Sequence, residues 1–140
     1  MTPRVDAWIR QARSDLAVAR LTAAEGFHAQ ACYHAGQAAE KALKGLLVAC
    51  GVVPPHSHSL DRLLEAIADQ GLDTSTLKVL PLKALTRMNS ETRYPQDEEA
   101  PVDRFDAHDS DQAVSLATSV LSFSTARLRE GEGGASASGL

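Results

Sequence analysis

The chain has 140 residues, a hydrophobic fraction of 44% and a formal net charge of −4. This length suits one domain around a single hydrophobic core, and the apolar fraction is too high for a disordered chain. The negative charge argues against a duplex DNA-binding protein, and no stretch reaches the roughly 18 apolar residues that a membrane span needs. We therefore expect neither duplex DNA nor a membrane as a partner, and the start of the chain lacks the apolar segment of a secretory signal, which predicts a cytoplasmic protein.

The apolar residues of the first third are mostly Ala and Leu at three- and four-residue spacings, a pattern that predicts helices. A first helix is expected over residues 5–25, closed by Gly26. A second is expected over residues 27–50, closed by Gly51. Glycine is the usual residue after the last turn of a helix, because it adopts the left-handed backbone conformation without strain.

The middle of the chain predicts two further helices. The first of them starts at a cap formed by Ser57 or Ser59 and ends at Gly71. Pro81 then disfavours helical geometry at the residue before it, so a new helix is expected to begin with this proline in its first turn.

A final helix is predicted over residues 110–128, after a loop rich in proline and acidic residues at 94–101. The composition of residues 130–140 predicts a flexible tail, which leaves residues 1–129 as the folded domain. No alternating apolar pattern is long enough for a strand. The predicted fold class is therefore all-α.

The two cysteines, Cys32 and Cys50, are 18 residues apart on the second predicted helix. At about 1.5 Å of rise per residue they are separated by roughly 27 Å, and a disulfide needs Cα atoms within about 7 Å. We expect two free thiols, which are usually buried.

The second predicted helix has a polar and an apolar side. Its apolar side carries Ala31, Ala35, Ala38, Ala39 and Ala42, which permit a close helix-to-helix approach in an antiparallel hairpin or in a dimer. On a helical wheel its polar side chains fall in one arc. They are Gln30, Tyr33, His34, Gln37, Glu40, Lys41 and Lys44. This arc is either a solvated face with a surface ion pair or a surface that contacts phosphate.

Four segments, in this order and spacing, resemble the HEPN domain family: "AWIRQARSDLAVARL", "ACYHAGQAAEKALKGLLVACG", "HSHSLDRLL" and "TRYP". The family is a small prokaryotic helical module often found beside minimal nucleotidyltransferases. The resemblance implies an antiparallel up-and-down bundle of four long helices plus a short one. It also implies a homodimer, a nucleotidyltransferase partner in a toxin–antitoxin type system, and a nucleotide or RNA ligand.

The resemblance also implies a ligand site. It brings Arg93 of "TRYP" near the polar side of the second helix, where its guanidinium and the lysine amines converge on phosphate oxygens. The implied ligand-binding residues are His34, Gln37, Lys41, Lys44, Arg93 and Tyr94. No cofactor is expected.

Catalysis is the less favoured alternative. Ribonucleases of this superfamily carry an Arg followed after four to six residues by a His, and this spacing is absent. Arg104 and His108 have three residues between them and define a divergent ribonuclease hypothesis, with His as general base and Arg as phosphorane stabiliser. A purely structural dimeric adaptor is the third hypothesis. His56 and His58 are too few ligands for a metal, and His58 is expected to be a local polar anchor.

Overall fold

A computed structural model describes the backbone of residues 1–138 and the side chains of residues 1–132. Seven helices and no strand occupy the described backbone. They are α1 (Pro3–Ala24), α2 (His28–Ala49), α3 (Leu60–Asp69), α4 (Ser75–Lys78), α5 (Leu82–Glu91), α6 (Pro101–Arg104) and α7 (Ala107–Ser138). The all-α prediction is confirmed. The expected count of four long helices and one short helix is not, because three helices are long, two have ten residues and two have four.

The start of α1 and the turn that follows it have clear local causes. The hydroxyl of Thr2 accepts a hydrogen bond from the backbone N–H of Val5, and Pro3 occupies the first helical position, where its missing N–H costs nothing. After α1 ends, Gly26 adopts a φ of +86°, which only glycine tolerates without strain. This turn folds α2 back along α1.

The α1–α2 contact is close because small residues line it. The five alanines on the apolar side of α2 are fully buried. Gly45, one turn further on, lies so near α1 that a Cβ atom placed on it would be 2.9 Å from the Cβ of Trp8 and 3.3 Å from Cδ1 of Ile9. The prediction of a close antiparallel hairpin is confirmed within the chain.

Helix α2 also packs against α5, which runs in the opposite direction. Gly36 lies against the backbone carbonyl of Leu85. Gln37 is hydrogen-bonded to Asn89, and Tyr33, one turn earlier on α2, contacts Arg93 just after α5 ends, so the two helices are antiparallel. This antiparallel arrangement carries the end of α5 toward the N-terminal half of α2.

Helix α7 completes the core and runs parallel to α2. His28, at the start of α2, is hydrogen-bonded to Ser110 in the first turns of α7, and Leu46 and Leu128 line one cavity near the other ends. Because α1 is antiparallel to α2, it is antiparallel to α7 as well. Helices α1, α2, α5 and α7 therefore alternate in direction along the chain, as an up-and-down bundle requires.

Of the two predicted caps of α3, Ser59 is the one that the structure shows, and its hydroxyl accepts from the N–H of Arg62. Two other predicted boundaries differ from the structure. Pro81 is the N-cap of α5 and not a residue of its first turn. Helix α7 starts three residues earlier than predicted and continues to Ser138, through most of the segment expected to be a flexible tail. Residues 139–140 of that segment lie outside the described residues, and its flexibility stays a prediction.

Candidate functional site

The polar face of α2, defined here as the side chains of the predicted arc from Tyr33 to Lys44, is not a solvated surface. It packs against α1, against the segment between α2 and α3, and against α5. Glu40, in the middle of this face, is only 7% exposed. The charges on this face are therefore held in specific contacts and not dispersed in water.

Toward α1, the ammonium of Lys41 donates a hydrogen bond to the carboxylate of Asp15, with 2.5 Å between Nζ and Oδ2. Asp15 is 7% exposed and lies in the apolar stripe of α1 beside Leu16. A buried carboxylate needs such a partner, because removal from water strongly disfavours its charge. Nδ1 of His34 is 3.7 Å from the other carboxylate oxygen, and this buried nitrogen has no hydrogen-bond partner among the described residues.

Glu40 forms a second internal cluster. Its carboxylate accepts from Lys44 Nζ at 3.1 Å and lies 2.8 Å from Nδ1 of His58. These contacts tie the segment that follows α2 to the side of that helix. His58 is a polar anchor, as predicted, but its partner Glu40 lies on α2 and not in the local segment that was expected.

Toward α5, the polar face meets two residues of the C-terminal part of that helix and its cap region. The amide nitrogen of Gln37 donates to Oδ1 of Asn89 at 2.9 Å, and Nε of Arg93 donates to the backbone carbonyl of Asn89 at 2.7 Å. The guanidinium carbon of Arg93 lies 4.9 Å from the ring centroid of Tyr33 and 5.1 Å from that of Tyr94. Both distances are within the range of a cation–π contact.

These contacts leave Arg93 fixed but not neutralised. Its Nε donates to a carbonyl, and its guanidinium contacts two tyrosine rings. In residues 1–132, whose side chains are described, neither a carboxylate nor a hydrogen-bond acceptor pairs with its terminal Nη atoms. A positioned guanidinium with open N–H groups is suited to bind a carboxylate or a phosphate with two parallel hydrogen bonds.

The structure brings some of the predicted ligand-binding residues together and separates others. Gln37 and Arg93 both contact Asn89, and Tyr94 contacts Arg93, beside the N-terminal half of α2. Lys41 and Lys44 do not join them in one anion-sized pocket, because each ammonium is paired with an internal carboxylate. Lys44 is also eleven residues beyond Tyr33, about 16 Å along the helix. Ligand binding by the six residues stays a prediction.

Sequence reasoning missed two residues that shape this site. Asp15 occupies a position in the apolar stripe of the first helix, and a carboxylate at such a position signals that a cation will meet it. Asn89, which holds both Gln37 and Arg93, carried no comparable signal. Its position became meaningful only when α5 was placed antiparallel to α2.

The two residues of the ribonuclease hypothesis lie elsewhere. Arg104 ends α6 and His108 is in the first turn of α7, and both are exposed. Asp106 lies between them and exchanges hydrogen bonds with the backbone and side chain of Asp109. The side chains described by the structure show no hydrogen bond or ion pair between Arg104 and His108. The carboxylate of Asp106 accepts a backbone N–H from Asp109, which lowers its pKa below the usual value.

The remaining reactive side chains have structural roles. Burial raises the pKa of Cys32 to about 12, and the charges of Asp109 and Asp106 act in the same direction, so this thiol is protonated near neutral pH. Both cysteines are free. Of the residues that the structure describes, no three His, Cys, Asp or Glu side chains are grouped to hold a metal ion. None of the described helices is long and apolar enough to cross a membrane.

The fold and this polar face define a small all-α domain with an internally paired central helix. The family model of the HEPN domain matches residues 5–128, and the chain belongs to the HEPN domain family. No match was found among curated protein sequences.

Solved structures agree with this assignment. The chain is similar to TT1696 from Thermus thermophilus, with 33% identity, a TM-score of 0.80, and coverage of 89% of this chain and 98% of that one. It is also similar to ST0689, an archaeal HEPN homologue, with 28% identity, a TM-score of 0.68, and coverage of 90% and 98%. A HEPN domain protein from Thermotoga maritima shares the fold, with 21% identity, a TM-score of 0.68, and coverage of 88% and 98%.

Proposed function

We propose that this HEPN domain protein is a non-catalytic, homodimeric partner of a minimal nucleotidyltransferase in a toxin–antitoxin type system. In this proposal it acts in the cytoplasm and binds a nucleotide or RNA at Arg93. The observation that supports ligand binding is the state of the Arg93 guanidinium, which is positioned by the Asn89 carbonyl and two tyrosine rings while its terminal N–H groups stay open among the described side chains.

The surroundings of Arg93 favour a nucleotide over a simple anion. Tyr94 is 56% exposed and offers an aromatic surface on which a base can stack. Gln37 supplies an amide group one turn of α2 away from Tyr33. In this proposal Arg93 contacts the phosphate, and the amines of Lys41 and Lys44 stay with their carboxylates.

The binding step is tested by thermal unfolding of the purified protein with ATP and with other nucleotides. A ligand at a hundred times its dissociation constant adds about 2.7 kcal/mol of stability. We expect Arg93→Ala to abolish the shift in melting temperature. Arg87→Ala removes an exposed arginine of α5, the helix that ends just before Arg93, and this matched control should keep the shift. Equal shifts in both variants, or none with any nucleotide in the wild type, would contradict the site.

The non-catalytic part is tested by incubation with total RNA. We expect no cleavage by the wild type. Cleavage that is lost in His108→Ala would replace this part of the proposal with the ribonuclease hypothesis, because His108 is its general base.

The partnership is tested by co-expression with the product of a neighbouring nucleotidyltransferase gene and by sedimentation of the purified chain. We expect a stable complex with that product, and alone a particle of twice the 14.9 kDa mass of the chain. A monomer at all concentrations would contradict the homodimer.

A further inference from the structure

A second surface carries unpaired arginines. Helices α1 and α7 border an open groove of about 390 Å³ whose floor is formed by Leu16 and Leu121. Arg13 and Arg20 line its α1 side. Neither arginine has a carboxylate within ion-pair distance among the side chains described by the structure, and none of the residues that line the groove is acidic.

The two arginines are arranged along the groove. They are seven residues apart, which places them on the same side of α1 and about 10.5 Å apart along its axis. Nη2 of Arg20 donates to the hydroxyl of Thr118 at 3.1 Å, so this guanidinium is held against the α7 wall. The hydroxyl of Thr118 in turn donates to the carbonyl of Val114 at 2.7 Å.

The α7 wall offers further donors but no charge. Ser122 and Thr125 follow Thr118 at helical spacing and line the same groove. The hydroxyl of Thr125 is used by the carbonyl of Leu121, at 3.0 Å, while Ser122 is exposed and its hydroxyl has no partner within the described part of the chain. At the Arg20 end, the groove adjoins a cavity that is lined by the acidic residue Asp111. The positively charged part of the groove therefore extends only from Arg13 to Arg20.

The charge of α1 explains how an acidic protein presents a basic surface. The helix carries four exposed arginines, and of its two acids Asp15 is neutralised by Lys41. The formal net charge of −4 is therefore a sum over the whole chain and hides a local positive potential on the outer side of α1.

We infer that the α1–α7 groove binds the phosphodiester backbone of single-stranded RNA without regard to base identity. Two cations about 10.5 Å apart along a groove fit two phosphates of one chain better than one compact anion. Guanidinium and hydroxyl donors are the groups that proteins use for backbone contacts. The groove has no aromatic residue among its described lining, so it lacks the aromatic platform on which proteins usually stack bases. The inference extends the RNA-binding part of the proposed function to a surface separate from Arg93.

The test is fluorescence anisotropy with a labelled oligouridylate of about 16 nucleotides, titrated at salt concentrations from about 50 to 200 mM. The logarithm of the affinity falls linearly with the logarithm of the salt concentration, and each lost phosphate contact makes this slope less steep by about 0.7 for a single strand. We expect Arg13→Gln/Arg20→Gln to weaken binding and to reduce the slope by about 1.4. Arg4→Gln/Arg10→Gln removes the same charge from the same helix outside the groove and should change the slope by less than half as much.

Two further experiments distinguish RNA binding in this groove from binding at Arg93 and from base-specific binding. Ser122→Glu places a negative charge in the groove and should weaken oligouridylate binding, while the ATP-induced thermal shift through Arg93 stays unchanged. An oligoadenylate of the same length should bind with an affinity close to that of the oligouridylate.

Four results would contradict the inference that this groove binds single-stranded RNA. They are equal salt slopes in the groove variant and its control, unchanged RNA binding in Ser122→Glu, competition by poly-glutamate as strong as by RNA, and a wild type that binds ATP but no oligouridylate. The third would assign the surface to an acidic protein partner. The last would leave the nucleotide site at Arg93 intact.

Discussion

At the scale of a single residue, Lys41 was predicted to bind a ligand, but its charge is used inside the molecule. Its ammonium compensates the buried carboxylate of Asp15. We expect Lys41→Met to lower the free energy of unfolding by about 1–3 kcal/mol, because the substitution leaves an uncompensated charge in a nearly dry site. Urea denaturation of the variant and the wild type measures the difference.

A double-mutant cycle separates this pairing from loss of side-chain packing. Asp15→Asn/Lys41→Met should cost less than the sum of the two single substitutions, since the second change removes the charge that the first left unpaired. Lys83→Met, an exposed lysine on α5, is the control and should change stability by less than about 0.5 kcal/mol. Additive costs would show that the two residues act independently.

The reactivity of the two thiols also depends on their positions in the fold. Cys32 is fully buried, and its pKa of about 12 keeps it protonated at neutral pH. Burial also raises the pKa of Cys50, which is only partly covered. We expect an aromatic disulfide reagent at about pH 8 to label the native protein slowly and at Cys50 first, and to label both cysteines in denaturant. Fast labelling of native Cys32 would contradict the packing of α2 against α7.

The polar face of α2 was predictable from its periodicity, but its partners were not. Asp15, Asn89 and His58 are 26, 52 and 18 residues away from the side chains that they contact. Helical periodicity reports which residues share a side of one helix. It does not report which side of another helix will face them, because that depends on how the helices pack.

At the scale of an element, the α1–α2 contact depends on the absence of a side chain at Gly45. An alanine usually stabilises a helix interior by up to about 1 kcal/mol relative to glycine. Here its Cβ would lie 2.9 Å from the Cβ of Trp8, an atom that cannot move without the backbone of α1. We expect Gly45→Ala to destabilise the protein by about 1–3 kcal/mol.

Gly131 on α7 provides the matched control for this prediction. A Cβ atom there would have no neighbour within 4 Å among the described residues. Gly131→Ala should therefore be neutral or stabilising in the same thermal unfolding experiment. A Gly45→Ala variant at least as stable as the wild type would show that α1 can move away from α2 at little cost.

The start of α7 depends on a reciprocal pair of caps. The N–H of Asp109 donates to Asp106 at 3.1 Å, and the N–H of Asp106 donates to Asp109 at 2.9 Å. The backbone bond from Asp109 lowers the pKa of Asp106, so its carboxylate is stabilising above the pKa of the unfolded chain, and this stability is lost as the pH falls through the lower folded value. We expect the wild type to exceed Asp106→Asn in melting temperature at about pH 6, with the difference shrinking as the pH falls below about 3.9, the ordinary pKa of an aspartate.

Asp69→Asn at the end of α3 is the control for this pH dependence, because a negative charge at a helix C-terminus is not stabilising. It should not reproduce the loss on acidification. A constant difference between the wild type and Asp106→Asn at every pH would mean that the amide caps α7 less well for a reason unrelated to charge.

The elements themselves were predictable to different degrees. The long helices carry enough apolar repeats and clear stop signals, and α1 and α2 lie within two residues of their predicted ends. Helices α4 and α6 have four residues each, so they contain no repeat from which periodicity could be detected. Both fall in segments whose geometry is decided by proline and by contact with the longer helices.

At the scale of the whole molecule, charge is unevenly distributed. The outer side of α1 and the Arg93 site are basic, while the exposed segment after Tyr94 contains Asp97, Glu98 and Glu99. This segment begins four residues after Arg93, and negative charge near a proposed phosphate-binding residue opposes the approach of RNA through long-range repulsion. If RNA binds as proposed above, the charge of this segment therefore affects the rate of association more than it affects the contacts made in the complex.

We expect Glu98→Gln/Glu99→Gln to raise the association rate of oligouridylate about threefold at low salt. Asp97 is kept, because its carboxylate accepts the backbone N–H of Glu99 at 2.8 Å and shapes the segment. In about 1 M salt the Debye length is about 3 Å, so the difference should disappear there. Stopped-flow fluorescence measures both conditions, and Glu65→Gln/Asp69→Asn on α3 removes the same charge as a control. A gain that persists at high salt would show that the substitutions create a contact, and no gain at low salt would show that this segment does not face the approaching strand.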